Sequence, residues 1–314
     1  MAEHVIEMGI GEVRYALVED GEIIEARIAP EGTVTAGTVL HAQLIEVGHS
    51  GRNAVAVAEG EEYLLPEGAP GVTVGATFPI VVTREKIPGA EQWKRPLARP
   101  TAVNFVGNQS DERTVAMPDR DRLGEFGWED LLDEAREAIV PFVGGELRVS
   151  VTPAMTLIDV DGAISPGELA MAGARAAARA IRRHGIGGSI GIDLPTVKGR
   201  SERNALGEAI DAILPKPFER TAVNGFGFLQ IVRPRRHASM FELAADRAPF
   251  EARALLRRAG RETGALRLAA HPKVIAVIES HSDWIALLAR QVGGAVGLRA
   301  DALLPISAGH AEPA

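Results

Sequence analysis

Apolar and polar residues alternate from residue 4 to residue 30, with Asp20-Gly21 between the runs, and this predicts a β-hairpin. Several short Val-rich segments follow in residues 37–85, separated by turn-rich stretches at 48–53, 59–62 and 66–71. That spacing suits a small barrel, and an OB-type barrel fits it. Residues 86–126 are rich in Pro, Gly, Asp and Arg and read as a connector with at most short strands. In WEDLLDEAREAIV, residues 128–140, Trp128, Leu131, Leu132, Ala135 and Ile139 share one helical face. Two apolar runs of strand length come next, 155–160 and 189–194, with a long Ala-rich helical pattern between them. Ser165 as N-cap, Pro166 at the first position, Glu168 three residues after the cap and Gly185, Gly187 and Gly188 past the end punctuate that helix. Such a strand, helix, strand unit is long enough to join parallel strands. Beyond it the pattern predicts a turn, a helix burying Leu206, Ile210, Ile213 and Leu214, and an apolar run ending in basic residues. A helical segment over 250–271 and a helix, helix, strand series after Pro272 complete it, and the final SAGHAEPA reads as a frayed end.

Composition makes this a globular chain. Its 314 residues, 46% of them hydrophobic, supply two or three domains and a sizeable core. Cysteine is absent, which excludes disulfides and thiolate metal sites and fits a reducing compartment. The amino terminus lacks a basic segment followed by an apolar core, and no apolar run reaches membrane-spanning length. A cytoplasmic protein with no membrane partner is therefore expected.

The chemistry concentrates in the crossover unit. Asp159 and Asp193 stand at the ends of its two strands, where parallel strands present functional side chains, and Asp161 shares the face of Asp159 if the extended backbone continues. Three gathered carboxylates call for a hard divalent cation, magnesium or manganese, or for raised pKa values. The plainer reading of any single Asp here is the cap of a turn after a strand. A net charge of −8 argues against a nucleic-acid partner until it is located: residues 181–236 carry ten Lys and Arg against five acids, a local +5 that leaves −13 for the rest. Cations around a carboxylate cluster suit a phosphodiester substrate. Lys198, Arg200 and Arg203 lie at the start of a helix, where backbone amides attract phosphate, and Arg233, Arg235 and Arg236 are the foremost candidates for phosphate contact. Solvated helix and strand faces explain the same arginines equally well. Tyr63 is a candidate platform for base stacking on the barrel. His237 and His271 are isolated and read as ordinary core or surface histidines.

The phrases GGELRVSVTPAMTLIDVDG and GGSIGIDL resemble the two catalytic strands of the ribonuclease E and ribonuclease G family. In that family a strand ending in Ile-Asp-Val-Asn is followed by a helix and a Gly-Gly strand ending in Ile-Asp. GEVRYALVEDGEIIEARI is similar to the family's opening hairpin, IVVTRE with KRPLAR to the end of its OB-type module, and GFGFLQIVRPRR to the strand after its catalytic helix. The resemblance implies a metal-dependent endoribonuclease acting on single-stranded RNA and leaving a 3′-hydroxyl and a 5′-phosphate. Asp159 and Asp193 would then hold one Mg2+ ion, or Mn2+, with Asp161 where the family offers Asn. It also implies an RNA contact near Lys94, beside Trp93 and Arg95. Val55 stands where the family has a stacking Phe, and Pro195 and Thr196 where a second Asp often follows. The space for the family's 5′-monophosphate sensor is too short, and its paired-cysteine zinc link is absent, so no zinc is expected.

The expected architecture is mixed α+β and α/β. A hairpin over 1–35 packs on the catalytic domain, an OB module spans 36–100, and a connector spans 101–126. A βαβ catalytic domain with a ribonuclease-H-like and DNase-I-like core covers 127–236. A helical linker over 237–270 and a small αβ domain over 271–314, a surface through which two copies could dimerise, complete the chain. The alternatives are a catalytically silent RNA-binding protein on the same fold and a phosphohydrolase acting on small nucleotides.

Overall fold

In the computed structural model, which describes residues 2–88, 94–103 and 121–314, the first sheet has three antiparallel strands rather than the two of a hairpin. They are β1 (Glu3–Gly9), β2 (Glu12–Glu19) and β3 (Glu22–Pro30). Asp20 and Gly21 both take positive φ, which gives the expected tight turn. The additional turn centres on Gly11, at φ 74°, where a Cβ would sit 2.3 Å from the Trp284 ring.

Five strands then close into a barrel in the order β4, β5, β6, β8, β7. These are β4 (Val39–Glu46), β5 (Ala54–Ala58), β6 (Glu61–Leu65), β7 (Thr77–Arg84) and β8 (Leu97–Pro100). Leu44, Ala56, Tyr63, Leu65 and Ile80 fill its interior.

After α1 (Arg122–Glu125) and α2 (Trp128–Glu137) comes the central sheet, built from β9 (Ile139–Phe142), β10 (Gly145–Val151) and β11 (Thr156–Gly162). The helix α3 (Pro166–Arg183) crosses to β12 (Gly188–Asp193), and α4 (Arg200–Asp211), β13 (Glu219–Arg220) and β14 (Phe228–Arg233) complete the unit. The six strands run in the order β13, β14, β12, β11, β10, β9, and only β11 and β12 pair in parallel, as the crossover predicts. Inward positions on these strands, Leu147, Val149, Ile158, Val160, Ile190, Ile192, Leu229 and Ile231, all belong to one core.

The composition of α3 follows from its place. It touches β9, β10 and β11 on one side and β3 on the other, so the first sheet and the central sheet share one hydrophobic core. Ala170, Ala174, Ala176, Ala177, Ala178 and Ala180 are buried around most of its circumference. A larger residue would hold the sheets apart: a Cβ on Gly173 would already meet Val160 Cγ1 at 2.4 Å.

The remaining elements are α5 (Met240–Ala245), α6 (Arg247–Ala259), β15 (Leu266–Ala270), α7 (Pro272–Glu279), α8 (Ser282–Val292), β16 (Val296–Ala300) and β17 (His310–Pro313). Two expectations change here. The supposed helical linker ends in β15, the middle strand of a second small sheet, and the supposed frayed tail is its edge strand β17. No described helix is long and apolar enough to cross a membrane.

A buried ionic network ties the first sheet to α6. The Arg257 side chain, 2% exposed, donates to Glu7 at 3.0 Å, Glu129 at 2.7 Å and Asp121 at 2.7 Å, while Arg253 donates to Glu12 at 2.9 Å. Arg14, equally buried, pairs with Glu7 and Glu12.

His184, at the end of α3, is fully buried, with Nε2 2.8 Å from Glu134 and Nδ1 lacking a partner among the described residues. Burial pushes its pKa below the ordinary 6.5, against the opposing pull of Glu134. The unfolded chain therefore takes up this proton first as pH falls. The stability tied to the neutral ring is complete above about pH 6.5 and is lost progressively below it. The His184 ring is expected to titrate below the ordinary 6.5, and an NMR titration midpoint at or above 6.5 would contradict this.

Candidate carboxylate face

One face of the central sheet lies under α3, and the other is open. The strand β11 stays extended through Gly162, so Leu157, Asp159 and Asp161 all project from the open face. Asp159 and Asp193 are direct register partners across the parallel β11 and β12 pair, which places their backbones about 4.8 Å apart. Both side chains are exposed. Partial burial, followed by the charges of Asp161 and Asp193, raises the Asp159 carboxyl above the usual carboxylate range.

Asp161 has a different environment. Arg148 lies on β10 opposite Asp159, and its Nε is 3.2 Å from Asp161 Oδ2 while its guanidinium also pairs with Glu146. A cation therefore already serves the third carboxylate of the expected trio. Sequence reasoning passed over Arg148, although its register in the strand GELRVSV puts it on the open face.

An aromatic turn borders Asp193, and sequence reasoning missed this too. Phe228 is the register partner of Asp193 on β14, and Phe226 is 83% exposed at the tip of the preceding turn. Asn224 Oδ1 accepts from the backbone N–H groups of Phe226 and Phe228 at 2.9 and 3.1 Å, which fixes this turn. Gly227 is obligatory: its φ is 93°, and a Cβ there would stand 2.0 Å from the Leu194 carbonyl oxygen. The readable signal was GFGF, a glycine-bracketed aromatic directly before a strand.

The expected cations divide into groups. Lys198 and Arg200 are exposed in and just after the loop that leaves Asp193, at the carboxylate end of β12. Arg203 donates to the Val197 and Lys198 carbonyls at 3.3 and 3.0 Å, so it braces that loop. The start of α4 already has an anion, because Glu202 accepts from the Gly199 N–H at 3.1 Å. Arg233 is the register partner of Gly188, at the opposite end of β12, and donates to the Ile181 carbonyl on the helix side. Five residues of strand separate it from the Asp193 level, about 17 Å. Arg235 pairs with Glu242, and Arg236 follows on the same side of the molecule. These three are thus set apart from the carboxylates.

The barrel residues need one correction. Tyr63 is 1% exposed within the barrel core, and burial, reinforced by Glu61 and Glu59, pushes its hydroxyl up to about 12. Its ring is packing and offers no surface to a base. Val55 is buried as well. Lys94 is half-buried ahead of β8, and Trp93 lies outside the described residues.

No family model matches this chain. No curated protein matches it either. The chemistry of the face therefore rests on its own residues.

Among the described residues, no three His, Cys, Asp or Glu side chains form a metal-holding group. The pair Asp159 and Asp193 is nonetheless a donor set of the kind that suits Mg2+, which is commonly held by one or two carboxylates and keeps several waters. The charges of Asp161 and Asp193, which add to burial in raising Asp159, are what such an ion would relieve.

Proposed function

We propose that this chain is a divalent-metal-dependent endoribonuclease acting on single-stranded RNA, related to the ribonuclease E and G family. The observation that carries the reading is the in-register pairing of Asp159 with Asp193 on an open sheet face. A divalent ion such as Mg2+ held there would supply water activation and stabilisation of charge on the phosphoryl oxygens. The chain's own residues do the rest. Asp159 and Asp193 would hold the cation, and Arg148 offsets the charge of Asp161 so that a phosphodiester can approach. Lys198 and Arg200 engage the backbone phosphates, and Phe226 offers a base its exposed ring. The five-stranded barrel is of the size of an OB fold, and an OB-type assignment would give the chain a second RNA surface.

The decisive experiment is incubation of an end-labelled, unstructured RNA with and without Mg2+. Internal cuts that need the ion support the enzyme. Tight binding without cleavage in Mg2+ or Mn2+ would leave an RNA-binding protein on this fold instead.

Phe226→Ala is expected to weaken binding of a short single-stranded RNA by about 1–3 kcal/mol, the range for loss of one stacked base, with little change in thermal stability. Fluorescence anisotropy checks it, and an unchanged Kd would remove Phe226 from the RNA surface.

A further inference from the structure

A cleft of about 670 Å³ opens between the barrel, the loop that leaves the first sheet, and α5, and none of Asp159, Asp161 and Asp193 lines it. Four stretches of chain build its inner wall: Ile28 on β3, Tyr63 on β6, Ile87 after β7 and Leu243 on α5, all of them buried.

Two nearly buried side chains bring unused oxygens to this cleft. Tyr63 is 1% exposed, and its hydroxyl has no hydrogen-bond partner among the described residues. Glu85 is 3% exposed; its Oε1 accepts from Arg27 and, at 3.0 Å, from the Ala36 N–H, while its Oε2 has no partner among the described residues. Polar groups withdrawn this far from water are ordinarily paired, and leaving them unpaired costs stability.

The rim around these two oxygens is acidic. Glu31, Glu59, Glu61 and Asp246 stand on it, and Lys86 is the one cation among the described lining residues. Lys86 is taken by Glu61 at 2.8 Å, and Glu31 accepts from the Trp284 indole N–H at 2.9 Å. Glu59 and Asp246 are exposed and have no side-chain partner among the described residues. Burial, followed by the charges of Glu61 and Glu59, holds the Tyr63 hydroxyl protonated up to about 12, so at neutral pH it can still accept a hydrogen bond.

The partner this arrangement lacks is a cation that donates hydrogen bonds, and size and lining decide which kind. No three His, Cys, Asp or Glu side chains among the described residues form a metal-holding group, and the volume far exceeds one ion. Tyr63 is the one ring among the lining residues and belongs to the barrel core, so a flat aromatic cation has nothing to stack on. An alkyl amine uses both parts of the cleft: its ammonium groups donate to the oxygens, and its methylene stem lies along Ile28, Ile87, Leu243 and Pro88. Acids both inside and on the rim call for more than one ammonium group.

We infer that this cleft binds a linear aliphatic polyamine, with one ammonium at the inner oxygens of Tyr63 and Glu85 and another at the rim carboxylates of Glu59 and Asp246. The site is separate from the carboxylate face and does not depend on nuclease activity.

The test is calorimetric titration at about 0.15 M salt, where screening within about 8 Å suppresses diffuse attraction to an acidic protein. The probes are spermidine, n-butylamine, tetralysine and Mg2+. Four proteins are compared: wild type, Tyr63→Phe, Glu59→Gln/Asp246→Asn, and Asp159→Ala/Asp193→Ala. Saturable binding of spermidine is expected, at least tenfold tighter than n-butylamine. It should weaken at least threefold in Tyr63→Phe, which keeps the ring and removes only the hydroxyl, and at least fivefold in the Glu59/Asp246 variant. The Asp159/Asp193 variant should bind as wild type does. Absence of saturable binding overturns the site, as does full affinity in either cleft variant at an unchanged unfolding temperature. Mg2+ displacing spermidine at equal concentration reduces the effect to general attraction and overturns it, and tetralysine binding more tightly than spermidine assigns the cleft to a basic protein segment instead. Loss only in the Asp159/Asp193 variant places the binding on the carboxylate face and overturns it as well.

Discussion

Asp159→Ala and Asp193→Ala are each expected to lower metal-dependent RNA cleavage by roughly 10³-fold, about 4 kcal/mol of transition-state stabilisation, while RNA binding changes little. The two carboxylates are register partners on neighbouring parallel strands, so a cation shared between them loses half of its protein ligands when either is removed. Asp161→Asn is expected to retain activity within a few fold, because Arg148 already engages that carboxylate. The contrast separates a two-carboxylate site from a three-carboxylate one, and single-turnover cleavage assays read it directly. Equal losses at all three positions would show that Asp161 is a ligand. The alanine proteins should also remain folded. The Asp159 carboxyl is raised by burial and by its acidic neighbours, so the stability tied to its protonated form is complete below the ordinary 3.8 and is lost progressively as pH rises from there through the folded pKa. At neutral pH the ionised group opposes folding, and Asp159→Asn should melt no lower than wild type.

The largest expected effect on stability lies elsewhere, at Arg257. Its guanidinium satisfies Glu7, Glu129 and Asp121 at once, with only 2% of the side chain exposed. Arg257→Ala takes one cation from three carboxylates at once, leaving Glu7 to Arg14 and Asp121 to Arg261, and removing one partner of a buried ion pair typically costs about 3–5 kcal/mol. Arg257→Lys keeps the charge but loses the planar fork, and should fall between the two. Urea denaturation gives the differences, and a cost for the alanine variant below about 1 kcal/mol would show that solvent reaches the network freely.

What the sequence discloses depends on whether local pattern or long-range packing decides a feature. The crossover from β11 to β12 was readable because its helix has caps at both ends and its strands are short apolar runs ending in Asp. The barrel was readable from its turns. The direction of Tyr63 was also available: in EEYLL it shares parity with the buried Leu65, and parity outweighs aromatic character in deciding what faces inward. Arg233 follows the same rule, because in FLQIVR it shares the side of Leu229 and Ile231 and so turns toward the helix. The strand β15 was hidden because LRLAA continues a helical composition, and a five-residue apolar run does not tell helix from strand. No local signal marks β17, which is a strand only because β15 offers it an edge. The cleft beside the barrel was invisible for a related reason, since its five acids are spread from residue 31 to residue 246.

The ionic network has a consequence for biosynthesis. Glu7 and Arg257 are 250 residues apart, and Glu12 and Arg253 are 241 apart. At ribosomal rates of about 5–20 residues per second, β1 and β2 leave the exit tunnel roughly 10–50 s before α6 exists. Throughout that interval the nascent chain carries Arg14, Glu7 and Glu12 without the arginines that complete their circuit, and an apolar sheet face with neither α3 nor α6 against it. Such a segment is a natural client for a holding chaperone during translation.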